Sequence, residues 1–201
     1  SNGDIATLEG ITETGNALTI TVADSSVTAA ALKAVNNATT VNVIATAVTN
    51  ITGSRTDLAS VYIGGITGLG DEAITVSDTS ITAAQANTID GYTTGAVTAT
   101  ISTTAIADLD DLTGTGNTYT ITVATADVTA AALKAVNDAT TVNVTATAVT
   151  NITGSRTDLA SVYGGGITGL GDETITVSDA NITSAQANTI DGYTTGAVTA
   201  T

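Results

Sequence analysis

The stretch VNVIATAVTNITGSRTDLASVY at residues 41–62 recurs with a single change as VNVTATAVTNITGSRTDLASVY at residues 142–163. Shifting the 201-residue chain by 101 positions extends the match, and 80 of 100 aligned residues are identical. A long internal repeat indicates a modular chain in which similar segments pack on one another. The repeat predicts the tail of a preceding unit at residues 1–9, a first unit at 10–110 and a second at 111–201.

Alternating β-branched residues predict several short strands in each unit. In the first unit they lie at residues 18–22, 41–43, 74–76 and 96–98. Apolar residues at helical spacing follow two of these strands, beginning at Val27 and at Ile81. Valines mark successive strands at intervals of 21, 33, 21, 26, 21, 33 and 21 residues. The pattern therefore predicts one strand–helix module about every 25 residues.

Strands that alternate with helices at this interval favour a parallel sheet. Because one module cannot bury its own apolar face, neighbouring modules must pack together. The sequence predicts an α/β fold, a right-handed strand–helix solenoid of about eight short coils that continues through both units. The alternative is a pair of tandem β-sandwich domains of the adhesin kind, against which the alanine-rich helical stretches count.

The composition excludes many kinds of active site. Threonine, alanine and glycine supply 46, 34 and 20 residues, whereas histidine, cysteine, proline, methionine, tryptophan and phenylalanine are absent. Most zinc, haem and iron–sulfur centres, and Ser-His-Asp or Cys-His catalysis, need histidine or cysteine. We therefore expect no enzyme activity and no cofactor other than a possible calcium ion.

The charge balance restricts the partners. Four basic and nineteen acidic residues give a formal charge of −15. Such a chain repels the phosphates of nucleic acids and the surface of an anionic membrane. It also lacks an apolar run of the length, about 18 residues, that spans a bilayer. We expect no nucleic-acid partner and no membrane insertion.

Carboxylates that are adjacent or clustered are the candidate metal ligands. They are Asp71, Glu72, Asp108, Asp110, Asp111, Asp172 and Glu173. Hard cations prefer several carboxylate and carbonyl oxygens, so calcium is the ion that these residues favour. The competing interpretation is structural: a glycine turn whose acid bonds the local backbone, or a solvated helix end.

Several polar residues are predicted to cap helices. Asp24, Asp78 and Asp179 precede helical segments and are candidate N-caps. Ser54 and Asp57 fit a capping box, in which hydroxyl and carboxylate both accept hydrogen bonds from free backbone N–H groups.

Glycines and basic residues also recur in register. Gly91 and Gly95 are predicted to end a helix. Lys33 and Arg55 recur in the second unit and are predicted to pair with acids of neighbouring coils.

Two phrases carry a resemblance to a known family: ITGLGDEAITVSDTSITAAQANTIDGYTTGAVTAT at residues 66–100 and ATAVTNITGSRTDLASVY at residues 45–62. They resemble the tandem repeats of giant cyanobacterial cell-surface proteins, and the resemblance covers nearly the whole chain. It implies an extracellular structural or adhesive role, often in the neighbourhood of haemolysin-type calcium-binding repeats.

The sequence therefore predicts a non-enzymatic extracellular module, a rigid spacer or the body of a cell-surface fibre. Neither end resembles a polar cap, so we expect head-to-tail self-association or packing against neighbouring repeats of a larger chain. The alternative is a calcium-dependent adhesion module. A third hypothesis is an ice-binding face built from Thr-x-Thr triplets, which begin at Thr19, Thr98, Thr120 and Thr145.

Overall fold

A computed structural model describes residues 2–200 and shows a mixed α/β fold with parallel sheets, which confirms the predicted class. These residues form two compact units. Unit 1 comprises residues 2–80 and 85–99, and unit 2 comprises residues 81–84 and 100–200.

The helices within residues 2–200 are short, and none is long and apolar enough to cross a membrane. The eight helices of this part of the chain are α1 (Ile5–Leu8), α2 (Ala29–Asn37), α3 (Arg55–Ile63), α4 (Ala83–Asp90), α5 (Ile106–Leu109), α6 (Ala130–Asp138), α7 (Arg156–Gly164) and α8 (Ser184–Asp191).

The strands are shorter still. Those found in residues 2–200 are β1 (Asn2–Gly3), β2 (Thr21–Val22), β3 (Ser26–Thr28), β4 (Asn50–Gly53), β5 (Ala73–Val76), β6 (Val97–Thr100), β7 (Thr118–Thr120), β8 (Asp127–Thr129), β9 (Val144–Thr145), β10 (Asn151–Gly154), β11 (Ile167–Thr168), β12 (Thr174–Val177) and β13 (Val198–Ala200).

The main sheet of unit 1 places β3, β4, β5 and β6 side by side in that order, all parallel. Val27, Ile51, Ile74 and Val97 align in one row across it, so each strand pairs with the strand 23 or 24 residues further along. A tight turn cannot join parallel neighbours, and α2 and α3 supply the crossovers from β3 to β4 and from β4 to β5.

Unit 2 repeats this arrangement, with β8, β10, β12 and β13 adjacent in its main sheet. Its aligned row consists of Val128, Ile152, Ile175 and Val198. A second small parallel sheet pairs β9 with β11, and a single parallel bridge between Ile44 and Thr67 takes the same place in unit 1.

The parallel pairing corrects the alternative drawn from the sequence. A β-sandwich is built from antiparallel strands, whereas every pairing within the two units is parallel over residues 2–200. The tandem-sandwich alternative is therefore wrong.

The first alanine-rich helix begins two residues later than its apolar pattern predicts. Val27, the first residue of that pattern, lies in β3, and α2 begins at Ala29. Thr28 sets this boundary because its Oγ1 accepts a hydrogen bond from the backbone N–H of Ala31 at 3.2 Å. A threonine at the N-cap thus separates strand from helix within one apolar run.

The valine intervals of 21 and 33 residues do not separate successive strands of one sheet, because the valines used as markers lie in different sheets. Val22 belongs to β2, which pairs with β1, whereas Val76 belongs to β5 of the main sheet. The strand β4 was missed because Asn50 and Gly53 are typical turn residues. Conversely, residues 41–43 form no strand.

Small aliphatic side chains from strands and helices make up the core of each unit. In unit 1, Ile51 and Leu58 are 0% exposed. Close approach between elements requires glycine at position 53, because a Cβ there would overlap that of Ala29 in the first turn of α2. Tight packing of small residues thus brings strand and helix together.

Candidate functional sites

The paired acids predicted as calcium ligands are separated by burial in both units. Asp71 and Asp172 are exposed, whereas Glu72 and Glu173 are 0% and 1% exposed. A carboxylate removed from water is tolerated only when donors satisfy its oxygens. The hydrogen bonds of the buried glutamates should therefore explain the conformation of the turn.

Glu72 organises the Gly-Leu-Gly turn that precedes it. The backbone N–H of Gly70 donates to both carboxylate oxygens at 2.9 Å, and the hydroxyl of Tyr62 donates to Oε2 at 2.8 Å. Gly70 has a φ of +136°, which a residue with a Cβ rarely adopts. The structural interpretation predicted an aspartate bonding the local backbone here, and Glu72 makes these bonds.

The tyrosine of this network stacks on a second tyrosine. The ring centroids of Tyr62 and Tyr92 lie 5.0 Å apart with an angle of 10° between the planes. Burial first, and then the hydrogen bond to Glu72, raise the pKa of the Tyr62 hydroxyl above its ordinary value. The hydroxyl therefore keeps its proton and remains a donor to the carboxylate.

Thr93 and Gly95 hold the backbone of Glu72 from the other side. Thr93 Oγ1 donates to the carbonyl oxygen of Glu72 at 2.6 Å and accepts a hydrogen bond from the N–H of Gly95 at 2.9 Å. A Cβ at Gly95 would overlap that same carbonyl oxygen. The prediction that Gly95 ends a helix is wrong: α4 ends at Asp90, and glycine is needed here for close approach.

Unit 2 contains the same network with nearly the same distances. Tyr163 donates to Glu173 at 2.8 Å, and the N–H of Gly171 donates to both carboxylate oxygens at 2.9 Å. The rings of Tyr163 and Tyr193 are 4.9 Å apart and 9° from parallel. Burial, followed by the bond to Glu173, also raises the pKa of Tyr163. The network is therefore a property of the repeat.

The geometry of these turns bears on the calcium hypothesis. The oxygens of Glu72 already accept hydrogen bonds and face the interior, whereas the carboxylate of Asp71 is open to solvent. Within residues 2–200, no three acidic side chains gather into a group able to hold an ion. Calcium binding stays a prediction.

The acidic cluster at Asp108, Asp110 and Asp111 lies on the surface around α5. Asp108 is in the first turn of this helix, and Asp110 is the residue that caps its C-terminal end. A carboxylate in the first turn interacts favourably with the helix dipole. This placement fits a solvated helix end, and a calcium role for the cluster also stays a prediction.

Asp24, Asp78 and Asp179 cap helices, but not the helices that follow them. Each Oδ2 accepts a hydrogen bond at 2.6 Å from the first backbone N–H of a helix 19 or 23 residues earlier. The pairs are Asp24 with Ile5, Asp78 with Arg55, and Asp179 with Arg156. We call these contacts long-range caps. The predicted local caps are wrong, and α2, which follows Asp24, is capped by Thr28 instead.

Threonine takes the place of aspartate in two further long-range caps. Thr103 Oγ1 accepts from the N–H of Ala83 at 3.0 Å, and Thr125 Oγ1 accepts from that of Ile106 at 2.9 Å. Thr125 stands where the first unit has Asp24, so hydroxyl and carboxylate fill the same role. Sequence reasoning missed these caps because the helix and its cap are about one structural repeat apart.

The predicted capping box at Ser54 is half confirmed. Ser54 Oγ accepts a hydrogen bond from the N–H of Asp57 at 3.2 Å, as an N-cap does. The carboxylate of Asp57, however, accepts from the Ser54 hydroxyl at 2.9 Å instead of from its backbone. Asp57 is thereby left facing the neighbouring helix, where Lys33 reaches it.

The basic residues follow the predicted pairing in part. Lys33 Nζ lies 2.9 Å from the carboxylate of Asp57 and so links α2 to α3. Lys134, at the matching position, pairs with Asp138 inside α6. Arg55 uses its backbone N–H in a long-range cap, and its guanidinium forms no salt bridge within the described part of the chain.

A single row of threonines crosses the main sheet of each unit. The row comprises Thr28, Thr52, Thr75 and Thr98 in unit 1, and Thr129, Thr153, Thr176 and Thr199 in unit 2. Neighbours in such a row are about 4.8 Å apart. Two residues earlier the strands of unit 1 carry Ser26, Asn50 and Ala73, so the row is one threonine wide. Of the predicted triplets, only Thr98 contributes.

Known proteins offer no parallel for these features: no family model, curated protein or solved structure matches the chain. Function must therefore be sought in the geometry that both units share, namely the buried glutamate network, the long-range caps and the in-register strands.

Proposed function

We propose that this chain is an extracellular structural repeat module, a rigid spacer or the body of a cell-surface fibre. Each unit is a right-handed α/β solenoid in this proposal, and the chain holds about eight coils. We define a coil as the 19 to 24 residues that separate a residue from its hydrogen-bonded partner in the next layer of the stack. The function lies in the array of coils.

The observation that carries the proposal is the long-range capping in both units. Each cap takes a backbone N–H left free at the start of one helix and satisfies it from the next coil. A charge-assisted hydrogen bond of 2.6 Å tolerates little displacement, so the cap fixes the distance between successive coils. Repeated contacts between neighbours are what stiffen a one-dimensional array.

The glutamate network supports the same interpretation. Tyr62, at the end of α3, donates to Glu72, whose backbone carbonyl in turn accepts from Thr93 beyond α4. The contacts therefore span successive coils. A fully satisfied buried polar network rigidifies the structure around it, which suits a spacer.

The extracellular location rests on the sequence. The resemblance to repeats of giant cyanobacterial cell-surface proteins supports it, and the charge of −15 keeps crowded copies soluble and apart. The partners in this proposal are neighbouring repeats of a larger chain or other copies of this one. The module performs no catalysis.

The proposal is tested by comparing the length of one copy of the chain with that of two fused copies. Two copies of the chain fused end to end should have about twice the maximum dimension of one copy in small-angle X-ray scattering, because coils add along one axis. One compact globule of twice the chain length would instead be larger by only about 1.3-fold in radius of gyration, and by the same factor in maximum dimension. Growth near that lower value overturns the spacer proposal.

A matched pair of variants shows whether the caps cause the stiffness. Asp78→Ala with Asp179→Ala removes two long-range caps, whereas Asp71→Ala with Asp172→Ala removes two exposed carboxylates of the same type. The first variant of the fused chain should show a shorter mean dimension. The second should scatter like the parent.

A calcium-dependent adhesion module is the second candidate, favoured by the exposed carboxylates of Asp71 and Asp172 beside their glycine turns. An ion that binds only the folded state raises the melting temperature by mass action. Millimolar calcium should then raise the melting temperature of the parent, but not that of the Asp71→Ala, Asp172→Ala variant. An equal response to magnesium, or none to calcium, removes this candidate.

Ice binding is the third candidate, and the in-register threonine row is the feature behind it. A threonine array would order water along the exposed face of the sheet. Thermal hysteresis of the purified chain measures this activity directly, and its absence excludes the candidate.

A further inference from the structure

We propose that the stacked tyrosine pair of each unit is an oxidative cross-linking site, at which a one-electron oxidant joins the two rings through a carbon–carbon bond. The pairs are Tyr62 with Tyr92 and Tyr163 with Tyr193. The oxidant is an oxidised metal complex or a peroxidase that has reacted with hydrogen peroxide. The product is dityrosine within one chain, and its formation does not depend on the spacer function.

The composition directs oxidants to tyrosine. Cysteine and methionine, whose sulfur atoms are readily oxidised, are absent, and so are tryptophan and histidine. Tyrosine is then the most readily oxidised side chain that the protein carries, and the chain has five of them. Four of the five lie in the two stacked pairs, and all four are half-buried. An oxidant in solution therefore reaches these pairs.

The buried glutamates provide the proton acceptor that oxidation of a phenol requires. Loss of an electron makes the hydroxyl of tyrosine strongly acidic, so the proton leaves together with the electron. The hydroxyl of Tyr62 lies 2.8 Å from Oε2 of Glu72, a distance that allows direct transfer to a base. Tyr163 and Glu173 are also 2.8 Å apart. Tyr62 and Tyr163 are therefore the first rings to be oxidised.

Stacking holds the second ring in contact with the first. The ring centroids are 5.0 Å and 4.9 Å apart in the two pairs, and the planes are within 10° of parallel. Groups held together react without waiting for an encounter by diffusion. Because the rings are half-buried, each has an open side on which it can tilt as the bond forms. The charge of −15 on each copy slows encounters between chains, so coupling within a pair is favoured.

Electrons and protons balance over two one-electron steps. Tyr62 gives one electron to an oxidant and its hydroxyl proton to Glu72, and Tyr92 gives one electron to a second oxidant and its proton to water. The two neutral radicals join through ring carbons that neighbour the hydroxyl-bearing carbons. The hydrogen on each of these carbons then moves to the phenolic oxygen, which restores both aromatic rings. Glu72 releases its proton to water, so one link yields two electrons and two protons, which reduce one hydrogen peroxide to two waters at a peroxidase.

The link ties together two successive helical segments. Tyr62 lies in α3, and Tyr92 lies two residues beyond the end of α4. A covalent link between them closes a loop of chain and lowers the entropy of the unfolded state. The cross-linked protein should therefore unfold at a higher urea concentration than the untreated protein.

Photochemical oxidation of the dilute protein with a ruthenium trisbipyridine complex and persulfate tests the proposal. Intact-mass spectrometry should show single chains that have lost two hydrogen atoms for each link. In the sequence, Glu72 lies between the two tyrosines of the first pair, and Glu173 lies between those of the second. Cleavage after glutamate in the unfolded product therefore gives fragments 14–72, 73–173 and 174–201, which stay joined where a link has formed.

The variant Tyr92→Phe with Tyr193→Phe removes one hydroxyl from each pair. Phenylalanine keeps the stacked ring and leaves the bond between Tyr62 and Glu72 in place, but it has no phenol to oxidise. The yield of joined fragments should fall by about tenfold or more. Tyr119→Phe is the matched control, because Tyr119 is 1% exposed and belongs to neither pair. It should link as the parent does, and circular dichroism verifies the fold of both variants.

The variant Glu72→Gln with Glu173→Gln tests the proton acceptors. Glutamine has nearly the same shape and keeps an oxygen that accepts hydrogen bonds, but it does not take up the proton of the tyrosine hydroxyl. The initial rate of linking should fall by about tenfold or more. An unchanged rate overturns the role of the carboxylates as proton acceptors.

Four results overturn the inference: oxidised chains that gain oxygen and lose no hydrogen, links that form only between chains, a yield in Tyr92→Phe with Tyr193→Phe equal to that of the parent, or equal yields from the folded parent and from the parent unfolded in urea. The last result would mean that the fold does not bring the reacting rings together. None of these results alters the scattering expected of the fused chain, so the cross-linking site and the spacer function fail separately.

Discussion

The two repeats hold Lys33 and Lys134 at matching positions, yet the two side chains form different ion pairs. Lys33 reaches across to Asp57 on the next helix at 2.9 Å. Lys134 instead bonds Asp138, one turn further along its own helix. We attribute the difference to one substitution, since the residue equivalent to Asp138 in the first repeat is Asn37.

The buried glutamates behave in the opposite way. Glu72 and Glu173 accept hydrogen bonds from equivalent tyrosines at 2.8 Å and from equivalent glycines at 2.9 Å. An exposed lysine pairs with whichever acid is nearest, at little cost. A buried carboxylate must keep every donor, because water cannot replace them. Burial therefore decides which contacts of a duplicated segment are kept.

The largest expected effect is at the shared network. Glu72→Ala leaves the hydroxyl of Tyr62 and the N–H of Gly70 without an acceptor inside the protein. We expect the free energy of unfolding to fall by about 2–5 kcal/mol, measured by urea denaturation. Glu173→Ala should cost a similar amount, because its surroundings are the same.

Asp71→Ala is the control for this experiment, because its carboxylate is exposed one residue away. Its effect should stay within about 0.5 kcal/mol. An equal loss in Asp71→Ala and Glu72→Ala would show that the turn, and not the buried carboxylate, carries the stability. Unequal losses in Glu72→Ala and Glu173→Ala would contradict the equivalence of the two networks.

The next largest loss of stability is expected at Gly95, which lies against the backbone of Glu72. Gly95→Ala forces a methyl group against the carbonyl oxygen of Glu72, and the strand must shift. We expect a loss of about 1–3 kcal/mol in the free energy of unfolding. Gly91→Ala is the matched control, because a Cβ there meets neighbouring atoms only at 3.5 Å. Similar losses in the two variants would disprove the close-approach role of Gly95.

Alkaline pH should destabilise the folded protein through the ionisation of Tyr62 and Tyr163. Their folded pKa values are raised above the ordinary value of about 10, so the folded state binds the proton more tightly. The associated stability is complete below about pH 10 and is lost as the pH rises further. At about pH 11 the expected loss is about 1 kcal/mol for each of Tyr62 and Tyr163.

Urea titrations between about pH 9 and pH 11 measure this loss. The variant Tyr62→Phe with Tyr163→Phe cannot ionise at these positions, so its stability should depend less steeply on pH, whatever its absolute stability. A slope equal to that of the parent would assign the alkaline transition to other groups, the lysines included.

The extent to which the fold could be predicted depended on how local its signals are. Alternating residues identified β5 and β6, and Ser54 was recognised as a cap because its partner lies three residues away. The long-range caps were missed because Asp78 lies 23 residues from Arg55 in the chain, and only folding brings them together.

The candidate site was hidden for a different reason. Glutamate is rarely buried, so Glu72 was assigned to a solvated metal loop together with Asp71. A signal was present, since Tyr62 and Glu72 recur together as Tyr163 and Glu173 in the second repeat. Their common recurrence does not reveal contact, because almost every residue of the segment recurs as well.

The smallest expected effect concerns the ion pair between Lys33 and Asp57. The hydrogen bond from Lys33, followed by that from Ser54, lowers the pKa of the Asp57 carboxyl. Asn37→Asp copies the second repeat and should draw Lys33 onto its own helix, so that the pKa of Asp57 rises toward its ordinary value. Carbon-detected NMR titration of the Asp57 carboxyl measures this shift.

The stability linked to Asp57 is present above the ordinary carboxyl pKa of about 4 and is lost as the pH falls through the lowered value. In Asn37→Asp this acid-side loss should shrink, while the stability at neutral pH changes little because the ion pair is exposed. Asp138→Asn is the control and should leave the titration of Asp57 unchanged. An Asp57 pKa that stays low in Asn37→Asp would mean that packing between α2 and α3, and not the nearest acid, directs Lys33. The change from Asn37 to Asp138 alone would then not explain the different ion pairs.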